Sequence, residues 1–146
     1  MSELLVLARR LYARRATGTV VPYRVLDQTH VEGQCHNNAD RWANDNPDWK
    51  SVRGWLVFDH EATSSGIIPL VQFNPHSVVE DSNGIRVDPT PSRASQRYPF
   101  LEHEGPEEDF IRIVESISLT CINYDNQADM FRLAFVTPDP APDPAQ

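Results

Sequence analysis

Residues 76–90 read HSVVEDSNGIRVDPT and hold the clearest local unit of the chain. Two β-rich runs, 76–80 and 85–88, flank the pair Asn83-Gly84. An Asn-Gly pair between such runs is a strong β-hairpin signal, and the proline that follows the second run ends it, because proline cannot continue a strand ladder. The stretch therefore predicts two adjacent antiparallel strands.

The predicted hairpin brings together two polar residues from its open end. His76 opens the first strand and Asp88 closes the second, so their side chains are expected within cross-strand reach. Upstream, Cys35 begins a predicted helix over residues 35–46. A helix N-terminus favours a thiolate, a thiol needs a base, and that base needs an orienting carboxylate. The three residues therefore predict a catalytic triad, provided that the helix start packs against the sheet.

These residues resemble the motifs of the transglutaminase-like branch of the papain-like cysteine enzymes. That family has a glycine-rich approach to a cysteine at a helix start, a Gly-aromatic pair on a strand, a histidine that opens a strand and an Asp-Pro-Thr after the next strand. The corresponding pieces here are Gly33-Gln34-Cys35, Gly54-Trp55, His76-Ser77-Val78-Val79 and Val87-Asp88-Pro89-Thr90. The resemblance covers residues 30–91 and implies an α+β fold, in which a small antiparallel sheet packs on the helix whose N-terminus carries the cysteine.

The resemblance also implies acyl transfer. The enzyme would be an amidase, peptidase or deamidase that acts on a carboxamide or peptide bond of a peptide or protein substrate. Cys35 would attack the carbonyl carbon, His76 would take the thiol proton and later protonate the leaving amine, and Asp88 would hold the imidazole tautomer. This chemistry needs no cofactor. Hydrolysis and transfer to an amine use the same residues, so the choice between them stays open.

The tetrahedral intermediate of such a reaction needs hydrogen-bond donors for its oxyanion. The backbone N–H of Cys35 is the expected first donor. The second is expected from the side chain of Gln34, Asn37 or Asn38, and the sequence leaves that choice open. Trp55 is expected to form a wall of the cleft.

Two other interpretations use the same residues. A zinc site would draw on Cys35, His36, His76 and Asp88, although adjacent Cys-His does not have the spacing of structural zinc motifs. A non-catalytic relative would bind a peptide or a partner in the same groove, and the intact triad argues against it. The second cysteine, Cys121, lies in an apolar stretch and is predicted to be a buried packing residue.

Composition limits the class of protein. The chain has 146 residues and a formal net charge of −8, which disfavours a sequence-independent grip on nucleic acid and binding to anionic lipid. No apolar run approaches the roughly 18 residues of a membrane span, and two cysteines are too few for a disulfide framework. The N-terminus lacks the pattern of a signal peptide, so a cytoplasmic location is expected, with export as an effector left open. The oligomeric state stays open too.

The remaining patterns predict one domain over residues 1–137 and a Pro-rich, extended tail over 138–146. An N-terminal amphipathic helix would bury Leu4, Leu7, Ala8 and Leu11. Further predicted elements are strands at 19–25, 51–59 and 67–73, a turn at Asn74-Pro75, a polar loop at 60–66, an element at 110–118 whose periodicity fits a helix or a strand, and a last ordered element at 128–136.

Overall fold

The computed structural model describes residues 2–91, 97–118 and 120–135. Within these ranges the chain is an α+β protein with an antiparallel sheet, as the sequence predicts. The helices are α1 (Glu3–Arg14), α2 (Cys35–Asp45), the short α3 (His60–Thr63) and α4 (Glu107–Ile117), and a 3₁₀ turn, Arg15–Thr17, follows α1. The strands are β1 (Lys50–Asp59), β2 (Leu70–Glu80), β3 (Arg86–Val87), β4 (Phe100–Glu102), β5 (Thr120–Asp125) and β6 (Met130–Phe135).

The centre of the sheet is β2, in the order β4-β1-β2-β5-β6. On one edge of β2, β1 pairs with every residue from Val71 to Glu80. Along the other edge, β5 pairs with residues 70–73 and β3 with residues 79–80. Between them, no strand of the described part of the chain pairs with residues 74–78 on this edge. His76 lies in that gap.

The predicted turn at Asn74-Pro75 is wrong, because β2 runs without interruption through both residues. Pro75 pairs with Trp55 of β1 and lies in the gap on the opposite edge. A proline is tolerated in a strand where one edge lacks a partner, since its missing N–H then interrupts no ladder hydrogen bond. The two strands predicted at 67–73 and 76–80 therefore belong to one strand, β2. His76 lies within this strand.

The predicted strand at residues 19–25 is also wrong. Only isolated bridges form there, between Thr19 and Phe100 and between Tyr23 and Asp88. Pro22 between them removes one backbone donor, which disfavours a regular ladder. This irregular segment nevertheless contacts the backbone of Asp88 through the bridge at Tyr23.

The ambiguous element at 110–118 belongs to helix α4. Phe110, Ile113 and Ile117 are its buried residues and recur at helical spacing, whereas Ile111, which also fits a strand alternation, is 42% exposed. Burying each of these large side chains stabilises the fold by about 1.5–3 kcal/mol. The last predicted element is the strand β6, and the predicted N-terminal helix is confirmed, with Ala8 and Leu11 buried.

Helices cover one face of the sheet. Trp55, Val57, Val71 and Phe73 point from β1 and β2 into a core shared with α1 and α4. On the same face, Ala39 of α2 packs against Val79 and Val87. The residues that alternate with these on β1 and β2 form a second cluster with Val21 and Phe100 on the opposite face: Val52, Leu56, Phe58 and Val78.

Gly54 allows β4 to approach β1 closely. A Cβ atom at this position would lie 2.2 Å from the carbonyl oxygen of Leu101 and 2.5 Å from a ring carbon of Phe100. Neither contact is compatible with a side chain, so the Gly-Trp pair of the sequence motif has a packing reason. The Phe100 ring that occupies this space lies edge-on to His76, with ring centroids 6.3 Å apart.

No helix within the described ranges is long and apolar enough to cross a membrane. The predicted tail at 138–146 lies outside the described residues, as does the end of the predicted domain at 136–137.

Candidate active site

Cys35 is the first residue of α2 and is half-buried. Gly33, two residues earlier, has φ +82°, a left-handed conformation that glycine adopts at little cost. Among the described residues, no side chain caps the start of α2. The first-turn N–H groups therefore remain free to favour negative charge on the cysteine sulfur.

His76 and Asp88 meet as the hairpin predicts. His76 Nε2 lies 2.6 Å from Asp88 Oδ2, and both side chains are buried. The turn that sets this register is held by Asp81, whose Oδ1 accepts from the backbone N–H groups of Asn83 and Ile85, while Gly84 adopts φ +80°. Because Nε2 is engaged by Asp88, the other ring nitrogen of His76 is left for the thiol.

Asp88 is held from both sides. Its Oδ1 accepts from the backbone N–H of Thr90 at 3.0 Å. Its own N–H donates to the carbonyl of Pro22 at 2.9 Å, and its carbonyl accepts from Arg24 at 3.0 Å. Asp88 is fully buried, so both carboxylate oxygens depend on these protein donors rather than on water. The orienting carboxylate is therefore rigidly placed.

Asn38 connects the helix start to this segment. Its Nδ2 donates to the carbonyl of Val31 at 2.8 Å and to Thr90 Oγ1 at 3.0 Å, and its Oδ1 accepts from the N–H of Val31. The side chain is 2% exposed and uses both of its polar ends. Asn38 thus ties α2 to the Asp-Pro-Thr segment. Its Nδ2 donates to Val31 and Thr90, so Gln34 and Asn37 are the remaining candidates for the second oxyanion donor that the sequence left open.

The electrostatics of the cysteine and the histidine are coupled. Burial raises the pKa of Cys35, but attraction to the His76 charge and hydrogen bonds with His36 and His76 outweigh it and lower that pKa to about 5. Burial lowers the pKa of His76, but the neighbouring Cys35 thiolate and the hydrogen bond to Asp88 raise it to about 10. Between these values the proton belongs to His76, and the pair is a thiolate beside an imidazolium.

The other predicted site residues divide into two groups. Gln34 and Asn37 are exposed around the start of α2, so their side-chain amides are accessible from solvent. Trp55 is completely buried, and its Nε1 donates to His103 Nδ1 at 3.2 Å. Trp55 therefore belongs to the core beneath the site and does not form an open wall of the cleft. Its ring packs between the sheet and α4.

Sequence reasoning missed a polar cluster beside the cysteine. His36 Nδ1 lies 2.5 Å from Ser77 Oγ, and Arg53 Nη1 donates to the same hydroxyl at 2.9 Å. The feature of the sequence that could have indicated this cluster is Arg53, a charged residue within the largely apolar strand β1, next to Gly54. His36, Asn37 and Arg53 also line a cavity of about 300 Å³ between α2 and α4, with Phe110, Ile111 and Val114 on its apolar side.

The second cysteine has a different environment. Cys121 is fully buried on β5, and Gln72 Nε2 donates to its sulfur at 2.6 Å. Burial raises its pKa. It is a packing residue, as the sequence predicts. Across the described ranges, no group of three His, Cys, Asp or Glu side chains has the arrangement of a metal site.

No family model matches the chain, and comparisons with curated proteins and with solved structures likewise find no match. Cys35, His76 and Asp88, with the contacts described above, are therefore the features of the chain that point to a function.

Proposed function

We propose that this chain is a cysteine-dependent acyl-transfer enzyme with a transglutaminase-like core, acting as an amidase, peptidase or deamidase. The observation that carries the proposal is the hydrogen bond of 2.6 Å between His76 Nε2 and Asp88 Oδ2, on a histidine that also interacts with the Cys35 thiol. A nucleophile, a base and an orienting carboxylate need this order of contacts.

In the proposed acylation step, the Cys35 thiolate attacks the carbonyl carbon of a carboxamide or peptide bond. The carbonyl electron pair moves to the oxygen, which becomes an oxyanion. His76, already protonated, gives its proton to the nitrogen of the leaving amine as the C–N bond breaks. The products are a thioester on Cys35, a free amine and a neutral His76. Because the proton is on His76 beforehand, no separate deprotonation of the thiol is needed.

Deacylation reverses the roles. Neutral His76 takes a proton from water, the resulting oxygen nucleophile attacks the thioester, and the Cys35 thiolate leaves. With an amine in place of water the product is a new amide. Asp88 stabilises the imidazolium in both steps and keeps the ring oriented, and the thiolate–imidazolium pair is restored at the end.

The oxyanion would be bound at the start of α2. The backbone N–H of Cys35 is the proposed first donor, and the exposed amide of Gln34 or Asn37 is the proposed second. Each such donor contributes about 3 kcal/mol to the transition state in acyl transfer. The cavity between α2 and α4 lies next to His36 and would accept an apolar side chain of a peptide or protein substrate.

Both cysteines are free thiols, and the free nucleophile supports a reducing, cytoplasmic location. The net charge of −8 supports a protein or peptide substrate rather than a nucleic acid.

Selective modification of Cys35 tests the proposal without knowledge of the substrate. At about pH 6, a thiol with a pKa near 5 is mostly thiolate, so its thiolate fraction is roughly 300 times that of an ordinary thiol with a pKa of about 8.5. The intrinsic nucleophilicity of its thiolate is lower by about 25- to 55-fold, because nucleophilicity falls with the pKa. We therefore expect a pyridyl disulfide to modify Cys35 about 5- to 12-fold faster than it modifies an ordinary free thiol.

Peptide mapping by mass spectrometry locates the modified residue. Cys121 serves as the internal control, because it is buried and its pKa is raised. Slow modification of both cysteines in the native protein, at equal rates, would contradict the assignment of Cys35 as the nucleophile.

A further inference from the structure

His36 follows Cys35 in the first turn of α2, and other elements hold its ring. Ser77 of β2 contacts Nδ1 at 2.5 Å, and Phe110 of α4 lies edge-on to the ring with centroids 5.7 Å apart. Ser77 directly follows His76 in the sequence. Two consecutive residues of β2 thus act at the start of α2: His76 interacts with Cys35, and Ser77 contacts the ring of His36.

The chain of contacts continues from Ser77 to a partly buried arginine. Arg53 stands opposite Ser77 in the β1–β2 register, and its side chain is 10% exposed. Its Nη1 donates to Ser77 Oγ at 2.9 Å, its Nη2 to Asp40 Oδ1 at 2.7 Å and its Nε to Glu107 Oε1 at 2.8 Å. Two carboxylates therefore pair with one guanidinium, which leaves this group of three with a formal charge of −1. We call the chain of contacts from Arg53 through Ser77 to His36 the Arg53 relay.

Ser77 Oγ accepts a hydrogen bond from Arg53, because a guanidinium only donates. A hydroxyl has two acceptor sites and one O–H, so Ser77 can either donate to His36 Nδ1 or accept from it. When Ser77 donates, a neutral His36 carries its proton on Nε2 and has that N–H left for another partner. The interaction of His36 with Cys35 lowers the pKa of the thiol.

We propose that His36 is a positioning residue that holds the Cys35 sulfur in line with His76, and that the Arg53 relay fixes the ring of His36 for this task. The inference rests on the proposed function and adds a residue to it. His36 would donate to the thiolate in the resting enzyme and would release it when the sulfur bonds to the substrate carbonyl. This role explains why a partly buried arginine with two carboxylate partners contacts Ser77 next to the site.

Charged and titratable groups face the Cys35–His36 pair from every neighbouring element: Asp40 on α2, Arg53 on β1, His76 on β2, Asp88 after β3, and Glu107 and Glu115 on α4. A test must therefore remove the imidazole without changing these charges. His36→Phe keeps a ring against Phe110 and removes both nitrogens. Ser77→Ala breaks the relay at its middle, and Ser77→Thr restores the hydroxyl.

The measurement is the pH profile of Cys35 modification by a pyridyl disulfide, with thermal melting of each variant as a check on folding. We expect His36→Phe to move the acid midpoint of the profile upward by roughly one pH unit, because the thiolate loses a hydrogen-bond donor. Ser77→Ala should move it in the same direction and by less, and Ser77→Thr should restore the wild-type profile.

Ser51→Ala is the matched control, because Ser51 Oγ donates to Asp40 at 2.8 Å and so touches the same cluster away from His36. If the relay only fastens α2 to the sheet, Ser51→Ala and Ser77→Ala should have similar profiles and similar melting temperatures. Unshifted profiles for His36→Phe and Ser77→Ala, beside a shifted profile for His76→Gln, would overturn this inference and leave the proposed function intact. An ordinary thiol profile in the wild-type protein would overturn both.

Discussion

Replacing His76 with glutamine is expected to lower turnover by roughly 10⁶-fold, the scale seen when the base of a triad is removed. Glutamine cannot hold a transferable proton, so the variant has no acid for the leaving amine and no base for the attacking water. It also removes the charge that lowers the pKa of Cys35, so burial then keeps the sulfur in its neutral, poorly nucleophilic form. Acylation and deacylation are therefore both lost in this variant.

The fold should survive this change. His76 is buried, and the glutamine amide can still donate to Asp88, so the carboxylate keeps a partner. Turnover is followed as amine released from a peptide or carboxamide that the wild-type protein hydrolyses. His103→Gln is the control, because His103 is a half-buried histidine whose acceptor role toward Trp55 a glutamine oxygen can fill. A His76→Gln variant with turnover close to that of His103→Gln would contradict the role of His76.

Asp88→Asn is expected to cost on the order of 10⁴ in turnover, as loss of the orienting carboxylate does in acyl transfer. The structural reason is that asparagine has one acceptor oxygen fewer than aspartate. Asp88 Oδ2 accepts from His76 Nε2 and Oδ1 accepts from the Thr90 N–H, whereas asparagine has one acceptor oxygen for these two donors. No water replaces the lost acceptor at a fully buried position. Either the imidazole or the backbone donor is left without a partner.

The same substitution also changes the pH range of the ion pair. Without the carboxylate, the pKa of His76 falls from its raised value, because Asp88 no longer stabilises the imidazolium. The pH range of the thiolate–imidazolium pair therefore narrows from its alkaline end. Leaving one buried donor unsatisfied destabilises the fold by about 1–3 kcal/mol, which urea unfolding can measure.

Asp81→Asn is the matched control for Asp88→Asn. Asp81 lies in the same hairpin and accepts from the backbone N–H groups of Asn83 and Ile85 through one oxygen, Oδ1, which asparagine retains. We expect wild-type turnover from Asp81→Asn. Equal losses in the two variants would mean that the hairpin fold, rather than the orientation of His76, accounts for the effect.

Local turn chemistry made part of this structure predictable. Asn83-Gly84 and the proline after Asp88 determine the hairpin register from within about fifteen residues, so the His76–Asp88 contact follows from the sequence. The start of α2 is predictable for the same reason, since Gly33 and the helix periodicity that indicate it lie next to Cys35. Two of the three proposed catalytic groups are thus brought together by a single supersecondary unit.

The errors arise where a distant segment decides the outcome. Pro75 reads as a turn residue, and it fits inside β2 only because β5 and β3 stop on either side of it. Asn38 is one of three side chains that the sequence offers as an oxyanion donor, but its amide donates to Val31 and Thr90, and Thr90 is 52 residues away in the chain. His36 has no visible partner in the sequence, because Ser77 and Arg53 reach it only after α2 packs on the sheet.

The most direct test of the account is the rate of Cys35 modification by a pyridyl disulfide from about pH 4 to about pH 9. The central claim is that Cys35 and His76 form a thiolate–imidazolium pair at neutral pH. We expect the rate to rise with a midpoint near pH 5, where Cys35 loses its proton, and then to remain level across neutral pH while His76 keeps its own. A single rise centred near the ordinary thiol pKa of about 8.5, with no reaction plateau at neutral pH, would contradict it.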